Sequence, residues 1–472
     1  PSTGPSGGIA PWFVSGVAVS PDGKRLVVAA VQEQQLLVYD VDPQSAAYGM
    51  LIGSANLGQR EMFGAYFDDL DPLGRYVYVS MWNNRSVVEV DLDANGGPSQ
   101  TRTFSTGKAP GGITFLDERW LVVANGLGDG LTIVDRSSGM TYDVPIDGAV
   151  EHGLEPTTLD YDQGSKRLYV ALSGISALMT YVVDTSSSPP TIAPIGRIPT
   201  LWWPTAVAVQ SDGGLVVTSL RGHGATADED AQSTGDMKFA DMTSGIQRIS
   251  ALTDGTIAML DDQFEKDSTI AALPGHPTLN CPAGTNDFPV PATNTDGPST
   301  VIDHVFIIIR ENKTFDALLG DLPSVNGDPG LTLVPDAQDR ARIWPNLRSL
   351  VGRFAVSDNF YTAAEVSIVG HTWTTMGRST DFVERTWPQT GFGHKVSRKA
   401  TEQGGVYEIG LPEEGGLFDW LANAGITHDI LGENQGLPKV TLPNHTALDF
   451  HYPGGFVAAI SYPDNEKACY VA

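Results

Sequence analysis

The sequence predicts a β plus α/β protein: an N-terminal β-propeller of six or seven blades, then an α/β domain with a mainly parallel sheet. Three observations predict it. A strand–turn–strand text recurs five times at a near-constant interval, a Pro-, Thr- and Asn-rich stretch then breaks the pattern, and the apolar run Val305 to Ile309 opens a different grammar. At 472 residues the chain is long enough for two or three folding units. Its 52 Gly and 31 Pro are spread along the chain, which suits many short strands joined by tight turns.

The first copy, GVAVSPDGKRLVVAAVQEQQLLVYDVD from Gly16, reads as an apolar strand, a Pro-Asp-Gly turn, a second strand, a polar gap and a third strand closing on Asp40. Copies follow from Gly64, Gly111 and Thr157, and TAVAVQSDGGLVVTSL from Thr205 opens a fifth. The turn positions Gly23, Gly74, Glu118, Gly164 and Gly213 are 51, 44, 46 and 49 residues apart, within the roughly 40 to 50 residues of a propeller blade. A blade buries its faces only against neighbouring blades, and a closed ring leaves no sheet edge exposed, so the flanks are expected to supply a sixth or seventh blade. The repeats resemble the YVTN-type β-propeller family. An insertion in the fifth copy, RGHGATADEDAQSTGDMKFADM, is too polar for a core and long enough for a lid or docking loop. Its Asp228, Glu229 and Asp230 read as a solvated run, with metal binding as the alternative.

These boundaries divide the chain into a leader over 1–8, a propeller over 9–263, a wrapping linker over 264–300 and a second domain over 301–472. In DHVFIIIRENKTFDALLGDL, Val305 to Ile309 reads as a strand buried on both faces of a parallel sheet. Glu311 and Asn312 then fall at its carboxyl end, where open α/β sheets place ligands, and both carry oxygen donors suited to a divalent cation. In DNFYTAAEVSIVGHTWTTMGRSTDFVERTWP, Ser367 and His371 stand four apart, Gly370 permits close backbone approach, and the following segment reads as the start of a helix.

Together, HVFIIIREN, TFDALLGDL, NGDP, DNFY, EVSIVGHTW and DFVERTWP resemble the phosphoesterase family of the alkaline phosphatase superfamily, which includes bacterial phospholipases C and acid phosphatases. Family members likewise carry a YVTN-type propeller. The resemblance implies a phosphoric ester hydrolase, secreted, periplasmic or at the cell surface. Ser367 would be the nucleophile, His371 would shape its loop, and Glu311, Asn312 and Ser367 would bind a divalent metal ion, Zn, Mn, Ca or Mg. A metal-coordinated serine is a competent nucleophile at neutral pH, and attack on phosphorus would give a phosphoserine. Ser367 is followed by Ile-Val-Gly-His, which is neither a sulfatase motif nor a Gly-x-Ser-x-Gly elbow.

The resemblance also implies later Asp and His ligands. Asp419, His428, Asp429, Glu433, His445, Asp449 and His451 do not reproduce their pattern, and HYPGGFVAAISYPDNEKACYVA resembles the middle of the family domain. The second domain is therefore read as an incomplete, alkaline-phosphatase-like N-terminal half. Its alternative is a noncatalytic binding or assembly protein with a vestigial hydrolase domain.

Partners follow from charge and hydropathy. With 29 Lys and Arg against 56 Asp and Glu, the net charge of −27 disfavours nucleic acid and anionic membrane. No apolar run approaches the ~20 residues of a membrane helix. A phosphoester substrate is expected, with a protein or cell-surface ligand on the propeller and the chain's own C-terminal fragment as further partners. Because residue 1 is Pro, a processed or trimmed start is expected. Cys281 and Cys469 leave one long-range disulfide or two separate thiols open.

Overall fold

A computed structural model describes residues 14–428 except 31–34, 59–61, 69–70, 147–152, 223–243, 269–298, 300, 310–312, 335, 337, 340–343, 359, 361–366, 391–409, 411 and 413–414. The chain divides into two compact units, residues 1–272 with 371–472, and residues 273–370.

The first unit holds a β-propeller of five blades. Four blades are four-stranded antiparallel meanders: β1 to β4 (Val14–Val19, Arg25–Ala30, Gln35–Asp40, Leu51–Asn56), β5 to β8 (Met62–Phe67, Tyr76–Met81, Ser86–Asp91, Ser99–Ser105), β9 to β12 (Pro110–Phe115, Trp120–Asn125, Gly130–Asp135, Thr141–Pro145) and β13 to β16 (Pro156–Asp162, Arg167–Leu172, Ala177–Asp184, Thr191–Pro199). The fifth has three strands, β17 to β19 (Pro204–Val209, Leu215–Ser219, Gly245–Ile249).

Strand alternation explains why the blades stack. In β2, Val27 and Ala29 join a cluster with Met62, Val77 and Val79 of the second blade, while Val28 and Ala30 face the opposite way. Further clusters join the second blade to the third through Tyr78, Phe104 and Leu121, the third to the fourth through Trp120, Val122 and Val170, and the fourth to the fifth through Tyr169, Leu178 and Val217. The inner strands β1, β5, β9, β13 and β17 pack in succession. Their approach is close enough to require glycine: a Cβ on Gly16 would sit 2.9 Å from Gly64 Cα, and one on Gly112 would sit 2.7 Å from Thr158 Cα.

The Asp that closes the third strand anchors the blade corner in the second and third blades. Arg75 grips Asp91 with Nε and Nη2 at 2.9 and 2.6 Å, and Arg119 grips Asp135 in the same fork at 3.1 and 2.6 Å. The Arg119 guanidinium and the Ser137 hydroxyl hold the Asp135 carboxyl far below the usual carboxylate range.

The expected sixth or seventh blade and the closed ring are not formed among the described residues. No packing comparable to that of the successive inner strands joins β17 to β1, and Val17 and Val19 of β1 are exposed. After β19 the chain forms a helix, α1 (Asp254–Ser268), in place of a further strand. That helix packs on β16, burying Ile257 and placing Asp261 Oδ1 2.6 Å from Arg197 Nε, so it covers an outer edge without extending the ring.

In the 273–370 unit, Val305 to Ile309 is not an interior strand. It is irregular, with Phe306 87% and Ile308 80% exposed, and every strand pairing among the described residues is antiparallel. A parallel interior strand needs hydrogen-bonding neighbours and helices over both faces, and the described part of this unit has no strand, its regular structure including the short helices α2 (Phe315–Leu319) and α3 (Pro345–Val351) and a 3-10 turn at Pro329–Leu331. The family-like words do fold against one another. Asp316 accepts from the Asp328 amide at 3.0 Å, Asp358 from the Asn326 amide at 2.6 Å, and Arg348 binds Asp321 at 2.5 Å.

If close packing of inner strands sets blade spacing, Gly112→Val should cost about 1–3 kcal/mol through overpacking against backbone that has nowhere to move. Urea unfolding followed by tryptophan fluorescence measures this, and an unchanged midpoint would refute it.

Candidate functional site

Helix α4 (Ser367–Met376) and helix α5 (Asp381–Thr390) are joined by a short turn in which Gly377 has φ +74°. The turn and the first turn of α5 sit on the propeller's inner strands, in contacts built from one recurring blade position.

Three inner strands begin with proline: Pro110, Pro156 and Pro204. The residue before each, Ala109, Glu155 and Trp203, has φ of +54°, +51° and +60°. A residue before proline is normally extended, and a left-handed conformation costs a non-glycine residue more still. Such strain persists only where the surroundings impose it. Here they do: Asp129 Oδ1 accepts from the Glu155 amide at 3.1 Å, and Ser176 Oγ, at the matching place one blade on, accepts from the Trp203 amide at 3.3 Å. The carbonyls of Ala109, Glu155 and Trp203 accept in turn from the amides of Gly126, Ser173 and Leu220.

Glu155 and Trp203 hold Asp381, the first residue of α5. Trp203 Nε1 donates to Asp381 Oδ1 at 3.0 Å, and Glu155 Oε2 accepts from the Asp381 amide at 3.3 Å. Arg385, one turn along the helix, donates to Asp381 Oδ2 at 2.6 Å and to the Thr205 carbonyl at 3.2 Å. Arg221 Nη2 reaches Glu384 Oε2 at 2.5 Å, with Glu384 fully buried. Arg378 Nη1 lies 3.5 Å from Glu155 Oε1 and 3.8 Å from Asp129 Oδ2. Phe382 meets Trp82 edge to face, and Trp82 meets Phe63 in the same way. A cavity of about 10 Å³, room for about one water, remains between Glu155, Asp381, Phe63 and Phe382. Among the described residues the chain itself therefore fills the space around this helix end, leaving no substrate-sized pocket there.

The electrostatics are unusual for so acidic a cluster. Burial pushes the Glu155 carboxyl well above the ordinary glutamate range; Arg378 opposes the shift, and Asp381 and Asp129 add to it. Burial also raises Glu384 against the opposing pull of Arg221.

Of the residues proposed from sequence, Ser367 is the first residue of α4 and His371 lies one helical turn on, with the side chains of both outside the described residues. Residues four apart share a helix face. Glu311, Asn312, Asp228, Glu229, Asp230, Cys281, Cys469, Asp429, Glu433, His445, Asp449 and His451 lie outside the described residues. Asp419 is buried in helix α6 (Leu417–Asn423) and accepts from the Gly416 amide at 2.9 Å, which makes it a helix cap. His428 is exposed and stacks on Phe418. Sequence reading missed Glu155, Trp203, Arg221 and Asp381. The signal was the recurrence of Ala-Pro, Glu-Pro and Trp-Pro at one blade position, 46 and 48 residues apart.

Among the described residues no helix is long and apolar enough to cross a membrane. The chain matches no family model and no curated protein. It is similar in fold to solved propellers. A functionally unknown protein from Desulfotomaculum acetoxidans has 17% identity and a TM-score of 0.36 over 44% of this chain and 65% of its own. Virginiamycin B lyase from Staphylococcus aureus has 12% identity and a TM-score of 0.34 over 44% and 64%. A protein from Bacteroides fragilis proposed to be a 6-phosphogluconolactonase has 19% identity and a TM-score of 0.34 over 41% and 56%. The chain thus spans less than two thirds of the length of each, and at these scores no residue's role carries over.

Because the folded chain keeps Glu155 protonated to higher pH than the unfolded chain does, its contribution to stability is complete below the ordinary value of 4.5 and is lost as pH rises through the folded value. Glu155→Gln should remove that loss, so the variant's urea midpoint should gain on the wild type as pH rises from 4 to 8. A wild-type-to-variant difference independent of pH would count against this.

Proposed function

We propose that the chain is a metal-dependent phosphoester hydrolase acting through Ser367, with the propeller as a binding or docking module. The observation that carries this reading is the position of Ser367 at the start of the ten-residue helix α4, inside the family-like text EVSIVGHTW. The first turn of a helix presents unpaired amides and the positive end of its dipole, which favours an anion such as a phosphoryl group.

In the proposed reaction the Ser367 hydroxyl oxygen attacks phosphorus and the ester alcohol leaves. Water then cleaves the phosphoserine, returning the hydroxyl and releasing phosphate or a phosphate monoester. A divalent cation held by the carboxylate of Glu311, the amide oxygen of Asn312 and Ser367 would favour the serine alkoxide and offset phosphoryl charge. The donor set suits such an ion, and His371, one turn from Ser367, would shape the approach. Phosphomonoesters, phosphodiesters and phospholipid head groups all fit this chemistry.

The noncatalytic reading is favoured by one observation: the propeller's inner face is engaged with the chain's own α5. The two readings separate in one experiment. With p-nitrophenyl phosphate and bis(p-nitrophenyl) phosphate as probes, the hydrolase reading expects turnover that a chelator removes and that falls at least about a thousand-fold in Ser367→Ala, with the propeller still folded by circular dichroism. Turnover unchanged in that variant, or none in the wild type at any supplied divalent metal, would favour the binding protein.

A further inference from the structure

We propose that Glu155, Trp203 and Arg221 form a built-in socket for the α4–α5 turn, and that seating Asp381, Glu384 and Arg385 there is what orders the helix beginning at Ser367. In this view the propeller's partner is a segment of its own chain, and the three socket residues are positioning residues for the nucleophile. The positioning part rests on the hydrolase reading; the seating does not.

Four observations converge on it. The socket residues Glu155 and Trp203 occupy equivalent blade positions in a conformation disfavoured for both, and each is pinned there by a hydrogen bond from the preceding blade's turn. The same conformation recurs at Ala109, Glu155 and Trp203, so the blade repeat sets the backbone and the side chain that each copy carries decides what it holds. Each socket residue has a polar contact on the segment: the Trp203 indole on Asp381, the Glu155 carboxyl on the Asp381 amide, the Arg221 guanidinium on Glu384. The segment's acids Asp381 and Glu384 are 3% and 0% exposed, so loss of the socket groups would remove partners from buried carboxylates.

The third observation is aromatic. Phe382 enters between these polar contacts to meet Trp82, so the seat combines a central apolar anchor with surrounding hydrogen bonds. The fourth concerns α4 itself. Among its described side chains Val369 and Thr375 are buried, and a ten-residue helix has little stability of its own. Its carboxyl end runs through Gly377 directly into the seated turn.

Hydrogen exchange with mass spectrometry on the full chain tests the proposal. In Trp203→Phe/Arg221→Ala, amide protection across 367–385 should fall about ten-fold or more, while that of β10 and β11 stays at the wild-type level. Arg221→Lys, which keeps the charge, should recover part of the protection. If the double variant also loses protection in β10, Trp203→Phe alone, which removes the indole donor and keeps an aromatic side chain, should still speed exchange at 367–385 about three-fold. Unchanged exchange at 367–385 in Trp203→Phe, or loosening of 378–385 with α4 unaffected, overturns the proposal. Where the wild type turns over p-nitrophenyl phosphate, kcat should fall with the protection while KM moves less than about two-fold; loss of KM alone would overturn the positioning role. A wild type without turnover defeats the hydrolase reading and leaves the exchange result to decide the seating.

Discussion

Each blade of this propeller is apolar on both faces, and that single constraint organises everything else in the first unit. A strand such as β2 sends Val27 and Ala29 one way and Val28 and Ala30 the other, so a lone blade would leave both faces in water. Only stacking between neighbours buries both. Stacking then draws the inner strands so close that glycine is needed where they cross, as at Gly16 and Gly112, and the loops that lead into those strands converge near the same axis.

Convergence turns a repeated loop position into a site. Ala109, Glu155 and Trp203 are successive copies of one place in the blade, and their left-handed backbones cost on the order of 1–3 kcal/mol each. Asp129 and Ser176 hold the strained amides, so the cost is met within the repeat. The payload differs from copy to copy: a methyl, a carboxyl and an indole. Those three groups face the amino end of α5, where Asp381 complements the helix dipole while accepting from Trp203 and Arg385. Ion pairs with Arg221 and Arg378 accompany carboxyls that burial has made more basic, and a buried pair of this kind specifies geometry more than it adds stability.

The 273–370 unit follows a different logic. Its described contacts are local, a carboxylate accepting from a nearby amide or a single Arg348–Asp321 pair, and its most apolar segment stands in solvent. Five consecutive apolar residues at 305–309 describe what a strand would bury, and burial needs partners on both edges and both faces. The family-like words around Asp316, Asp328 and Asp358 nonetheless fold together, which shows that turn chemistry can act where sheet formation has not.

The amino-acid sequence determined the repeat by itself: five copies, the turn glycine in four of them, the Asp that ends the third strand in the first four and the helix after Ser367. These are local properties, set by strand alternation, turn residues and helix propensity, and each is legible within about thirty residues. Tertiary structure alone decided the number of blades, because the text after Ile249 suits a helix or another strand until Ile257 and Asp261 find β16. It alone decided that Glu155, Trp203 and Arg221 act on Asp381 and Glu384, residues 226, 178 and 163 positions away in the chain. The Glu-Pro and Trp-Pro pairs were written in the repeat, but their partner lies outside it. Pairings across such separations are set by which side chains meet when the blades stack, and no local pattern encodes that meeting.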